Sequence, residues 1–230
     1  VVGSGAKTTI GDTTIGALGV PWFLIVLFFG RTLFDYLQLK LKSKWLYITI
    51  IVCSITGICI GKLQWLPFSF DIALAIQPFF LIGYLIKKYD IKKSCIIKMF
   101  VFFATWITLL LLMYFVSKTY LELACRRYPL FPLCFISAIA GTMFISCFSQ
   151  LFSKIKYLAK PIMYLGKNSM VMLWVHCFDS YFKFAWELTT NNYINITLRV
   201  AVDVLLFSLI MIVIKTIKKH NIKRNPVNEN

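Results

Sequence analysis

The first residues in this chain that could do chemistry are ionisable side chains set inside long apolar runs. Carrying one into a bilayer costs about 2.5–3.5 kcal/mol on insertion scales, so such residues usually face a bundle interior or water and are candidates for function. Arg31 and Asp35 lie four apart in one run, on one face of a helix. Either they neutralise each other near the membrane surface, with the arginine snorkelling, or Arg31 contacts an anion; its planar fork suits phosphate. His176 and Asp179 lie three apart in a later run. A histidine beside a carboxylate can act as general base on a hydroxyl, or it can bond to a neighbouring helix and hold a bundle together. Arg199 and Asp203 repeat the spacing of four, either as a self-neutralising pair or as part of a polar cavity wall. Lys167, Asn168 and Ser169 follow Gly166. The amide and hydroxyl suit hydrogen bonds between helices, while Lys167 can snorkel or meet phosphate.

Two further groups sit close to the ends of apolar runs. Glu122, Arg126 and Arg127 lie between two of them, with Glu122 and Arg126 spaced as a helical pair. They make either a solvated turn or a contact for an anionic glycan or a lipid-pyrophosphate carrier. Asp71 and Gln77 precede Pro78, which is expected to kink its helix and free a carbonyl. Asp71 is expected near enough to the interface to be solvated.

The elements that must position these residues are read from composition and charge. Of 230 residues, 59% are hydrophobic and 15% charged, and the mean hydropathy is +0.77. An ordinary soluble domain is about 45–50% apolar and about 25% charged. Disordered chains, disulfide scaffolds and ordinary soluble enzymes are excluded. At about 20 residues per spanning helix, the reading is an all-α polytopic transmembrane bundle of about seven spans. They fall near 17–38, 45–61, 66–86, 96–116, 129–152, 161–182 and 194–215. The chain reads as a single membrane domain over 1–230, ending in a basic tail at 216–230. The seven cysteines are scattered without metal-ligand spacing, so neither a metal site nor a disulfide framework is expected.

The net charge of +16 would suggest nucleic acid in a soluble protein. Here no nucleic acid is expected, because the basic residues cluster in alternate loops. Lys40, Lys42 and Lys44, then Lys87, Lys88, Lys92 and Lys93, then Lys154, Lys156 and Lys160, then Lys215, Lys218, Lys219, Lys223 and Arg224 fall on one side. The other side has only Lys7, Lys62, Lys118, Arg126, Arg127 and Lys183. The first set is therefore cytoplasmic, with the C-terminus inside and residues 1–16 outside. An outside start without a signal peptide or a Met reads as a chain that begins partway through a longer protein.

Four stretches carry a family resemblance: GALGVPWFLIVLFFGRTLF (16–34), LPFSFDIALAIQPFFLIGYLIKKY (66–89), YLELACRRYPLFPLCFISAIAGT (120–142) and LGKNSMVMLWVH (165–176). In this order they resemble the acyltransferase 3 family of bacterial integral-membrane O-acyltransferases. The resemblance implies a fold of roughly ten spans with both termini inside, which makes the first span here the fourth. It also implies transfer of an acyl group, most often acetyl, to a hydroxyl of an envelope or exported glycan or lipid-linked saccharide. The donor implied is acyl-CoA, acetyl-CoA in the commonest case, used as co-substrate with no bound cofactor. The setting implied is the bacterial cytoplasmic membrane. Arg31, Lys167, Arg126, Arg127, Arg199 and Asp203 are the substrate-binding candidates, and His176 with Asp179 the catalytic ones. The family's arginine and catalytic histidine of the first helix have no counterpart in these residues, so these residues alone are expected to be inactive. Two rivals stand beside this reading: a transporter or flippase, and the membrane half of a two-domain protein of the serine racemase type.

Overall fold

The computed structural model describes residues 8–10, 13–15, 19, 21–89, 96–181 and 192–224. A short antiparallel pair comes first, β1 (Thr8–Ile10) with β2 (Thr13–Ile15), Thr8 opposite Ile15. The remaining elements are helical: α1 (Trp22–Lys40), α2 (Ser43–Leu63), a 3-10 turn (Pro67–Ser69), α3 (Phe70–Ala75), α4 (Gln77–Lys88), α5 (Ile96–Ser117), α6 (Leu133–Phe152), α7 (Lys156–Lys167), α8 (Ser169–Tyr181) and α9 (Asn192–Arg224). Five of them, α1, α2, α5, α6 and α9, are long and apolar enough to cross a membrane, and α3 with α4 makes a sixth if the bent pair is one span.

Two expected spans take another form. The segment 66–86 is broken at Ile76, with a bend of 51° between its halves. Pro78 stands in the first turn of α4, where a missing N–H costs nothing, so the kink expected from it is present and is sharp enough to part the segment into two helices. The segment 161–182 is two helices, α7 and α8, which meet at Asn168. Asn168 donates to the carbonyl of Tyr164 in its own last turn (2.8 Å), not across helices as expected. Helix α9 runs on to Arg224, past the end of its apolar stretch at Ile217, so the described part of the basic tail expected from 216 is helical.

Two compact units divide the chain, 1–159 and 160–230. In the first, α1 buries a stripe of Val26, Gly30 and Phe34, spaced by four. Helix α2 buries Leu46, Ile50, Ser54, Gly57 and Gly61 on one side. The two glycines let the backbones meet. A Cβ on Gly57 would come within 2.5 Å of Ala75 N and Asp71 O, so α2 lies directly against α3. The break at Ile76 leaves carbonyls without helical partners, and polar side chains take them. Gln77 Nε2 donates to Ala73 O (2.8 Å) and to Gly30 O of α1 (3.0 Å), while Ser54 Oγ of α2 donates to Ala75 O (2.9 Å). Helices α5 and α6 pair through Trp106, which lies 3.0 Å from where a Gly141 Cβ would stand and stacks on Phe144. In the second unit Val175 of α8 is buried with Phe207 and Met211 of α9.

Candidate functional site

Three arrangements of polar residues emerge, and the first is a cleft beside α4. It encloses about 510 Å³ and is lined by Arg31, Phe34 and Gln38 of α1 and by Phe79, Phe80, Gly83, Tyr84, Lys87 and Lys88 of α4. Arg31 and Lys87 reach it because α1 and α4 pack along the Phe34–Phe80 ring stack (6.0 Å between centroids). Arg31 Nε donates to Asp35 Oδ2 at 2.7 Å, one turn on, as the spacing required. The pair is exposed, the Arg31 side chain keeping 65% of its surface, so this one bond leaves the rest of the guanidinium fork available. Lys88 Nζ lies 5.8 Å from the Tyr84 ring centre and 5.7 Å from that of Tyr89. Three cations around an aromatic floor suit a phosphate-bearing ligand with a flat or apolar portion.

The second arrangement is buried. Arg126 Nε donates to Asp71 Oδ2 (2.9 Å) and Nη2 to Oδ1 (3.2 Å), a fork-to-fork pair with side chains 2% and 0% exposed. Nη2 also donates to Ser69 Oγ (3.2 Å), and Nη1 to Ala124 O (2.9 Å). The guanidinium carbon lies 3.9 Å from the Trp65 ring centre. Asp71 also sits in the first turn of α3, where the helix dipole favours a carboxylate. Gly61 makes room for the pair: a Cβ there would meet Asp71 Oδ2 at 2.9 Å and Arg126 Cγ at 3.1 Å. Phe68, Ser69 and Arg126 hold left-handed φ of 55°, 55° and 53°, conformations that cost non-glycine residues energy and that this network fixes.

That geometry corrects two expectations. Asp71 is not solvated but fully buried, and Arg126 is not a helical partner of Glu122. The segment around them is a tight turn closed by Glu122 and Arg127, whose N–H groups donate to each other's carbonyls (3.1 and 3.0 Å). Glu122 pairs with Arg127 (3.3 Å), whose side chain is exposed. With its fork engaged by Asp71, Ser69 and Ala124, Arg126 acts as a clamp on the loop. Cys125 Sγ donates to Glu122 Oε1 (3.2 Å); burial and that carboxylate push its thiol up from the ordinary range. Burial, with the Asp71 charge next, holds the Tyr128 phenol well above its usual value. Its hydroxyl finds no partner among the described residues.

The third arrangement is in the second unit. His176 of α8 faces Asp203 of α9, Nδ1 to Oδ2 at 3.5 Å, long for a hydrogen bond but within ion-pair reach. The expected partners were otherwise: Asp179 for His176, and Arg199 for Asp203. The side chain of Asp179 lies outside the described residues. Among the described residues Asp203 meets His176, not Arg199, and its Oδ1 is buried without a partner. Arg199 stands half-buried one turn earlier on α9. Lys167 is exposed at the end of α7.

Sequence reasoning treated Lys87 and Lys88 only as loop charge; the signal that would have added them is Tyr84, one turn before Lys88 on the same face. It also passed over Gly57 and Gly61, whose spacing of four in an apolar segment marks close helix contact.

Comparison with protein-family models, with curated proteins and with solved structures gives no match. The resemblance to acyltransferase 3 proteins rests on the four stretches of sequence alone.

Proposed function

We propose that the protein is a membrane O-acyltransferase that takes its acyl group from a cytoplasmic thioester donor and gives it to a hydroxyl of an envelope or exported glycan. The observation that carries this reading is the cleft of Arg31, Lys87 and Lys88 over Phe34, Phe80 and Tyr84. The pattern of loop charges favours the cytoplasm for that end of α4 and supports the reading. Acyl-CoA is a cytoplasmic molecule with several phosphates, and the cleft offers cations and aromatic surface together. In the reaction the acceptor hydroxyl oxygen bonds to the thioester carbonyl carbon and the C–S bond breaks. The thiolate leaves, and the hydroxyl proton passes to a base. His176, which the sequence puts forward as a base, lies in the second unit, where it faces Asp203.

A transporter is the second reading, favoured by the bent pair α3–α4, since broken helices often form transport sites. The carbonyls of Ala73 and Ala75 at the break are taken by Gln77 and Ser54, so the bend serves packing better than a passing substrate.

Cells lacking the encoding gene should lose base-labile acyl esters from their envelope glycans, and the gene should restore them. In the restored protein, Arg31→Ala should weaken donor binding by roughly tenfold or more, the worth of one charge-assisted contact. His176→Ala should slow transfer by about 10²–10⁴-fold and leave donor affinity unchanged. Unchanged glycan esters after deletion, or parallel loss of affinity, turnover and melting temperature in both variants, would overturn the reading.

A further inference from the structure

The basic cleft adjoins a second cavity of about 500 Å³. Its walls are apolar: Leu27 of α1, Ile82 and Ile86 of α4, Leu123 of the clamped loop, and Ile139 and Met143 of α6. Phe79, Phe80 and Gly83 line both spaces, so Gly83 stands at the junction. A glycine inside a helix weakens it, and close packing is the usual compensation. Gly30, Gly57, Gly61 and Gly141 have that compensation, since a Cβ on each would meet an atom within 3.0 Å. A Cβ on Gly83 would meet nothing within 4 Å. Gly166 of α7 has the same open surroundings, but Gly83 is the one that stands where the two cavities share a wall.

Resting on the donor-site reading above, we propose that the groove takes the hydrocarbon chain of the donor, which is an acyl thioester with a medium or long aliphatic acyl group. The phosphates lie among Arg31, Lys87 and Lys88, and the chain passes Gly83. Charge complementarity sets the direction, because every cation is at one end. The groove has no charged wall, and its one hydroxyl, Thr142, commits its proton to Ala138 O (2.8 Å), so no side-chain donor is left for a polar group. From Phe79 to Ile86 helix α4 rises about 10 Å, which gives an alkyl chain room to extend. Head and tail spaces are nearly equal in volume, which fits a bulky phosphorylated head better than a simple lipid phosphate. The acetyl group implied by the family resemblance would leave the groove unused.

The test is a binding series on the purified protein in discs of neutral phosphatidylcholine, with coenzyme A, acetyl-CoA and octanoyl-CoA as probes. Octanoyl-CoA should bind roughly tenfold tighter than acetyl-CoA or better, since six more methylenes leave water. Ile139→Trp fills the groove from α6, away from the cations. It should abolish that gain while coenzyme A binds as before. Gly83→Leu, which adds side chain to open space and favours the helix, should also abolish the gain at an unchanged or higher melting temperature. Equal affinity for acetyl-CoA and octanoyl-CoA, with coenzyme A binding intact, would overturn the proposal and leave the donor site standing. A gain that survives both substitutions would overturn it as well, as would octanoyl-CoA being displaced by phosphatidic acid but not by coenzyme A. No binding of coenzyme A in any form would remove the donor site itself.

Discussion

A buried ion pair holds its place because neither partner can be left alone. Asp71 and Arg126 are both desolvated, and each satisfies the other through two bonds. Removing one leaves an uncompensated charge, which costs about 3–5 kcal/mol, whereas replacing both with apolar residues of similar volume is often neutral. Arg126→Met should therefore lower the melting temperature sharply, and adding Asp71→Leu should recover most of the loss. A double variant as unstable as the single one would show that the bonds to Ser69 and Ala124, not the pair, hold the loop. The sequence places both residues near apolar ends, but it does not show that they meet. They lie 55 positions apart, and the turn that aims Arg126 inward depends on left-handed backbone that spacing rules do not signal. Arg31 with Asp35 was legible because both sit on one helix, where the period decides the contact.

Helices in this chain are distinguished by what their small residues touch. Gly57→Ala puts a methyl within 2.5 Å of α3 backbone, which cannot yield as a side-chain end would. It should cost about 1–3 kcal/mol, as overpacking does. Gly83→Ala, in open space, should be neutral or stabilising by about 0.5–1 kcal/mol. Thermal unfolding in one detergent compares the two directly, and similar shifts would mean that α2 does not lie on α3 as described. The apolar runs made the helices α1, α2, α5, α6 and α9 legible, since their length and composition alone meet the thickness of a bilayer. The breaks at Ile76 and Asn168 were not, because run length registers apolar content and not continuity.

For the whole molecule the decisive arrangement is which ends face the cytoplasm. On the positive-inside reading of the loop charges, Ser43 is expected inside and Cys125 outside. With other cysteines replaced, an impermeant maleimide on intact cells should label Cys125 and spare Ser43→Cys. Thiolate is the reactive form, and the raised Cys125 thiol should react slowly at neutral pH and faster as pH rises. Labelling of Ser43→Cys from outside would invert the topology and with it the donor reading. The bend at Ile76 bears on how such a molecule could move. Gln77 ties it to α1 and Ser54 ties it to α2, so the break, a hinge in form, is pinned on two sides. A pinned hinge is a strut, and α1, α2 and α4 share any load as one frame. The groove has that frame for one wall and α6 for the other. Since α6 is coupled to α5 through Trp106, and Arg126 clamps the loop between them to Asp71, widening the groove would mean turning α5 and α6 together, as one leaf, about that clamp.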